Sequence, residues 1–138
     1  MARILSIDYG RKRCGIAVTD TLQLAANALT TVRTCELEAF LLDYTAREPV
    51  EKIIMGLPVT MRGEPSESMR YITPALRRLH KILPDVPVEL YDERFTSVLA
   101  HRAMLEGGMK KMQRRDKAVV DRISASIILN DYLSSRRT

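Results

Sequence analysis

The first strand constrains this chain most. Residues 2–9 read Ala-Arg-Ile-Leu-Ser-Ile-Asp-Tyr, a β-rich run in which Ile4, Ser6 and Asp8 share one face while Leu5, Ile7 and Tyr9 share the other. An acid therefore ends a buried strand. Gly10 to Arg13 is a tight polar turn, and Cys14 to Thr19 is a second apolar run with Asp20 at its end, so the pair predicts an antiparallel hairpin. A third, weaker strand is expected over Leu29 to Val32.

Leu37, Phe40, Leu41 and Tyr44 then recur at helical spacing, and their helix must stop before Pro49, because the residue preceding a proline is pushed out of the α region. Val50 to Gly56 predicts a strand. Ser66 can cap a helix carrying Met69, Ile72, Leu76, Leu79 and Leu83 on one stripe, with Pro74 predicting a kink or a late start. Val86 to Tyr91 is the next expected strand, Ser97 to Glu106 a short helix closed by Gly107 and Gly108, and Asp116 to Leu133 a final helix. Three strands followed by alternating units predict an α/β fold, a mixed five-stranded sheet that begins as an antiparallel meander, continues with parallel strands and is flanked by helices. The 138 residues suit one domain spanning 1–138.

Charge is distributed unevenly along that domain. Met1 to Met109 carry 14 Lys and Arg against 14 Asp and Glu, while Lys110 to Thr138 carry 8 against 3. A basic segment on an otherwise neutral domain suggests an anionic partner such as a phosphate backbone, the other reading being a solubilising surface. Apolar runs are far too short to span a membrane, and Met1 to Asp8 reads as a strand and not as a signal peptide, so a cytoplasmic protein is expected. Cys14 and Cys35 are the only cysteines; without a CxxC pair, and with His80 and His101 as the only histidines, they read as reduced thiols and not as zinc ligands.

Acids fall at three informative places: Asp8 at a strand end, Asp92 and Glu93 just past a later strand, and Asp121 early in the last helix. Burying a carboxylate without a partner costs several kcal/mol, so each needs a cation, a salt bridge or a metal. On the last helix Asp121, Ser124, Ala125, Ile128 and Tyr132 share one face, and the small residues among them allow that face to approach the sheet closely. Two strand ends and a helix start can then converge. Hard oxygen ligands of this kind suit Mg²⁺ or Mn²⁺, and two such ions about 3.5–4 Å apart can serve a phosphodiester displacement. Asp8 as a turn-capping residue and Asp121 as a partner of the helix dipole are the structural alternatives.

Asp8-Tyr9-Gly10, followed by Arg13, Gly15-Ile16-Ala17 and Asp20, resembles the opening of the YqgF family, also called RuvX or Holliday-junction-resolvase-like proteins. Gly56-Leu57-Pro58 with Gly63 and Glu64, Asp92-Glu93-Arg94 with Thr96 and Ser97, and Asp121 with Ser124-Ala125 and Ile127-Ile128-Leu129 agree in the family's order. The chain departs from the family's usual residues at Thr60, Arg62 and Arg122. The resemblance implies an RNase H-like fold and a metal-dependent nuclease that matures the 5′ end of pre-16S ribosomal RNA. It implies Asp8, Glu93 and Asp121 as the catalytic and metal-binding acids, Glu93 being preferred to its neighbour Asp92 on the resemblance alone.

Two basic clusters should flank these acids: Arg11, Lys12 and Arg13 in the hairpin turn, and Lys110, Lys111, Arg114, Arg115 and Lys117 before the last helix. With Arg94, which could pair with an acid or hold a phosphate, they are candidates for positioning a nucleic-acid backbone. Two Phe and no Trp argue against a base-stacking platform, so a structured substrate is expected. Three other functions compete with this one. A Holliday-junction resolvase would use the same acids on DNA and act as a symmetric dimer, and the sequence leaves monomer and homodimer both open. A non-catalytic factor would bind ribosomal RNA through the basic segment. A sugar-kinase or actin-like ATPase is disfavoured, because it needs two lobes and 138 residues supply one; a GxxxxGK[ST] loop is also absent.

Overall fold

The computed structural model describes residues 2–57, 69–92 and 117–136. Among them β1 (Arg3–Tyr9), β2 (Arg13–Thr19), β3 (Ala26–Arg33), β4 (Val50–Leu57) and β5 (Val88–Asp92) form one sheet in the order β3-β2-β1-β4-β5. The pairs β1–β2 and β2–β3 are antiparallel, whereas β1–β4 and β4–β5 are parallel. This is the mixed five-stranded sheet that the element order predicts. The helices are α1 (Leu37–Arg47), α2 (Met69–Ile82) and α3 (Lys117–Arg136).

The alternation along β1 decides which layer each helix covers. Leu5 and Ile7 join Ile16, Ile53 and Met55 under α1 and α2, through residues such as Leu41, Ile72 and Leu79. Ile4 joins Ala17 and Ile54 under α3, through Ala125, Ile128, Leu129 and Leu133. Both faces of β1 are therefore covered, and Ile4 to Ile7 are at most 1 % exposed. Each such apolar side chain contributes about 1.5–3 kcal/mol on burial, which makes β1 the strand least free to shift. The α3 face foreseen from helical spacing is also observed, with Ser124, Ala125, Ile128 and Tyr132 all buried.

Several boundaries differ from expectation. β3 runs over Ala26–Arg33 and not Leu29 to Val32. It is an edge strand whose first half is largely exposed, so it lacks the apolar alternation that marks a buried strand, and its register on β2 shifts between Ile16 and Ala17. β5 starts at Val88, because the Val86 amide instead donates to the Leu83 carbonyl in the turn after α2 (3.2 Å). α2 continues through Pro74 as one helix. Its stripe of Ile72, Ala75 and Leu79 is buried, and that packing outweighs the backbone hydrogen bond a proline forfeits. α3 extends to Arg136. The expected Ser66 cap and the helix over Ser97 to Glu106 lie outside the described residues.

Candidate active site

Asp8 is the penultimate residue of β1 and is half-buried. It sits opposite Gly15 of β2, on the sheet face that carries Ile4, Ser6 and Ala17 and is covered by α3. In the parallel half of the sheet Ile7 aligns with Met55 and Met55 with Leu90, so β1, β4 and β5 end along one edge. Asp92, the last residue of β5, aligns with Leu57 at that edge.

Three contacts orient α3 over this face. The Ser6 hydroxyl donates to the Ala125 carbonyl (2.7 Å), both groups being fully buried. Further along the helix the Lys52 ammonium donates to the Tyr132 hydroxyl (3.0 Å), and Lys52 lies beside Ile4 in the β1–β4 register. At the helix end Arg136 donates to the Gln23 side-chain carbonyl (3.2 Å), while the Gln23 amide donates to the Ala2 carbonyl (2.9 Å) and to Glu51. Later residues of α3 thus meet earlier residues of β1, and the helix runs antiparallel to the strand. From the Ser6–Ala125 contact, Asp8 lies two residues on, about 7 Å along a strand. Asp121 lies four residues back, about 6 Å along a helix. Both displacements lead to the same edge of the sheet, so the fold carries the Asp8 side chain and the Asp121 backbone there together.

Glu93, Arg94, Lys110, Lys111, Arg114 and Arg115 lie outside the described residues, and Lys117 opens α3. The described side chains contain no group of three or more Asp, Glu, His or Cys able to hold a metal, and Asp8 is the one predicted ligand among them. Donor chemistry at the edge suits a hard cation nonetheless. Asp8 offers carboxylate oxygens, and the thiol of Cys14 is turned into the α1/α2 core on the other face.

The hairpin turn is built tightly beside Asp8. A Cβ on Gly10 would lie 2.5 Å from the Arg13 carbonyl oxygen, so only glycine fits this approach of backbone to backbone. The Thr34 hydroxyl donates to the Gly10 carbonyl (2.7 Å), and the Thr34 amide donates to the Lys12 carbonyl (3.0 Å). The turn is thereby tied to the end of β3. The Arg11 guanidinium lies 4.6 Å from the centre of the Tyr71 ring of α2, a cation–π contact, while Lys12 is exposed and Arg13 half-buried. Arg11, Lys12 and Arg13 line one shallow concavity with Arg33 and Cys35. Sequence reading missed Arg33 because β3 was expected to stop at Val32. It missed Ser6 as an anchor because nothing local marks a serine that bonds a residue 119 positions away.

Asp20, which belongs to the opening motif, has a structural task. Its carboxylate accepts from the amides of Leu22 (3.1 Å), Leu24 (2.9 Å) and Ala25 (2.9 Å), ordering the loop in which Gln23 adopts a positive φ of 58°. The Ala25 amide, above all, holds its pKa below the usual carboxylate value, helped by the other amides against the opposing effect of desolvation.

Comparison with known proteins places this geometry in a family. The family model described as RuvX, Holliday junction resolvase, matches residues 2–135. A relative in Bacteroides thetaiotaomicron named "Putative pre-16S rRNA nuclease" is 63 % identical over 137 residues, covering 99 % of each chain. Relatives with the same name in Porphyromonas gingivalis (55 % identical, 98 % of each chain) and Flavobacterium johnsoniae (52 %, 99 % of each chain) also match. Among solved structures, Thermus thermophilus RuvC in complex with a Holliday junction substrate superposes with a TM-score of 0.60 at 19 % identity, covering 99 % of this chain and 96 % of that one. RuvC on its own gives 0.56 at 17 %, covering 98 % and 96 %. At these identities the likeness shows the fold, and that fold is the RNase H-like one.

Proposed function

The chain belongs to the RuvX family, and on that premise we propose that it is a metal-dependent nuclease that cuts structured nucleic acid at the edge where β1 and β5 end and α3 begins. It is a nuclease, a hydrolase of phosphodiester bonds. The observation that carries the placement of the site is the antiparallel docking of α3 on β1, pinned by Ser6, which leads Asp8 and the Asp121 backbone to one edge.

Asp8, Glu93 and Asp121 are the proposed catalytic and metal-binding acids. Glu93 is proposed over its neighbour Asp92 on the family resemblance alone. The carboxylates suit Mg²⁺ or Mn²⁺, two ions in the proposed site, which when bound would stabilise the attacking and leaving oxygens of the phosphodiester. The chain's own groups hold and orient the substrate. Arg11, Lys12 and Arg13 in the turn, and Arg94, Lys110, Lys111, Arg114, Arg115 and Lys117 in the segments around the other acids, are proposed to contact the nucleic-acid backbone.

The substrate proposed first is a precursor of 16S ribosomal RNA, because the relatives that match over nearly the whole chain carry that name. The family description favours a second reading, resolution of DNA junctions. No helix among the described residues is long and apolar enough to cross a membrane, and a cytoplasmic site of action is part of the proposal.

The test is cleavage of a structured ribosomal RNA precursor fragment and of a four-way DNA junction, with Mn²⁺ or Mg²⁺, by wild type and Asp8→Asn, both verified as folded. Metal-dependent RNA cutting that disappears in Asp8→Asn supports the proposal. Junction cutting alone moves the assignment to the resolvase. Absence of cutting, with equal RNA binding by both proteins, leaves a non-catalytic RNA-binding factor.

A further inference from the structure

The register of β1 with β4 ends at Ile7, whereas its register with β2 runs on through Asp8 and Tyr9. The proposed metal ligand therefore stands on a strand end aligned with one strand instead of two, and its partner there, Gly15, brings no side chain. A carboxylate set for a divalent cation needs a fixed backbone, because a productive site tolerates only about 0.5 Å of error. Ser6 supplies one fixed point, two residues before Asp8 on the α3 side. The other face of the sheet holds a second. Tyr9 alternates to the α1/α2 side, where it packs against the core, and its hydroxyl accepts a hydrogen bond from Arg78 of α2. Arg78 is held in turn by Glu38 of α1, with its Nε 2.6 Å from the carboxylate. Thr34, which donates to the Gly10 carbonyl (2.7 Å), lines the same small cavity as Tyr9, Glu38 and Arg78. Burial, above all, raises the pKa of the Tyr9 phenol, helped by Cys14 and Glu38, while the charge and hydrogen bond of Arg78 oppose the rise. The side chains of Arg78 and Glu38 are 54 % and 42 % exposed, and an ion pair so open to solvent adds little to stability. What it does supply is direction.

We propose that Arg78, held by Glu38, braces Tyr9 from behind and thereby fixes the direction in which Asp8 presents its carboxylate on the opposite face of β1. Adjacent side chains leave a strand to opposite faces, so a rotation of Tyr9 about the strand axis turns Asp8 with it. α3 pins the strand at Ser6 and α2 pins it at Tyr9, and Asp8 lies between the two pins. A guanidinium suits this task, because its planar fork can serve a phenol and a carboxylate at once, which an ammonium does with less directional control. Arg78, Glu38 and the Tyr9 hydroxyl are positioning residues that act through Asp8. The inference rests on the nuclease reading above, whose metal ligand it orients.

The experiment reads metal binding and cleavage separately, on full-length wild type, Tyr9→Phe, Arg78→Gln and the double variant. Mn²⁺ affinity is titrated without nucleic acid, and kcat and KM are measured on the structured RNA fragment and the DNA junction at saturating Mn²⁺. Each single variant is expected to lower kcat about tenfold, a fraction of the roughly 10²-fold that a displacement near 1 Å can cost. KM for nucleic acid should stay within about twofold of wild type, since no substrate contact is removed. Mn²⁺ affinity should fall several-fold in the same variants. The double variant should be no worse than the weaker single one, because both act through one hydrogen bond. Arg47→Gln breaks another exposed ion pair of α1, with Asp43 (2.8 Å), and should leave all three quantities unchanged. Additive losses in the double variant, or a loss confined to KM, overturn the proposal, the latter by making Arg78 a substrate contact. Tyr9→Phe keeps its ring in the core and decides the matter even if Arg78→Gln fails to fold: wild-type kcat and Mn²⁺ affinity in Tyr9→Phe overturn the brace. Failure of the nuclease reading looks different, with Mn²⁺ bound by wild type and lost in Asp8→Asn but neither substrate cut; the Mn²⁺ affinities of the brace variants then decide. Wild type that binds no Mn²⁺ and cuts nothing overturns both.

Discussion

Replacing Ser6 probes the link between packing and the site most directly. Ser6 is fully buried in the middle of β1, and its hydroxyl meets the Ala125 carbonyl at 2.7 Å across the interface between sheet and α3. In Ser6→Ala the lost hydrogen bond costs about 1 kcal/mol net, because the Ala125 carbonyl keeps its place in the helix ladder. For a chain of this size that lowers the melting temperature by roughly 3–5 °C. Ser6→Val instead adds bulk where Ala125, also fully buried, leaves no room. Overpacking of this kind costs about 1–3 kcal/mol, similar to the first variant or somewhat more, but it acts by pushing α3 off the strand. The Asp121 backbone, one turn from Ala125, moves with it. A displacement near 1 Å at a catalytic group can cost about 10²-fold in rate. The expected result is therefore a split: Ser6→Ala cuts nucleic acid within a few-fold of wild type, whereas Ser6→Val, still folded by chemical denaturation, loses about two orders of magnitude in kcat. A folded Ser6→Val with wild-type kcat would refute the view that the docking of α3 sets the site.

Three further outcomes are expected. Gly10→Ala should destabilise the chain by about 1–3 kcal/mol in urea unfolding, since its Cβ would meet backbone and not a yielding side chain; an unchanged midpoint would show that the turn can relax freely. Asp20 has a folded pKa below its ordinary value, so its contribution to stability is present above the ordinary carboxylate pKa and fades as pH falls through the lower folded value. Thermal melts of Asp20→Asn should accordingly lack part of the wild type's loss of stability in acid, and identical acid limbs would count against this role. Lys52 shows the opposite sign: hydrogen bonds to Tyr132 and then Glu89 raise its pKa, so its contribution is present below 10.5 and fades as pH rises through the folded value. Lys52→Met should flatten the alkaline limb of the melting profile, and a limb as steep as wild type's would exclude the contribution.

Much of this protein is written in consecutive residues. The alternation Ile4-Leu5-Ser6-Ile7 announces a strand covered on both faces, Asp8 stands at its end, and the spacing of Ser124, Ala125, Ile128 and Tyr132 marks the buried face of α3. Such periods are local, because they follow from the geometry of a single strand or helix. β3 was legible only in part, since an exposed edge strand is defined by its pairing partner and not by a pattern of its own. The direction of α3 across β1, the choice of Ser6 as its anchor, the stacking of Arg11 on Tyr71 and the opposition of Arg13 and Arg33 were decided by tertiary structure alone. Each depends on register and on contacts between distant segments, whose free energy belongs to the assembled fold and to no single stretch of chain.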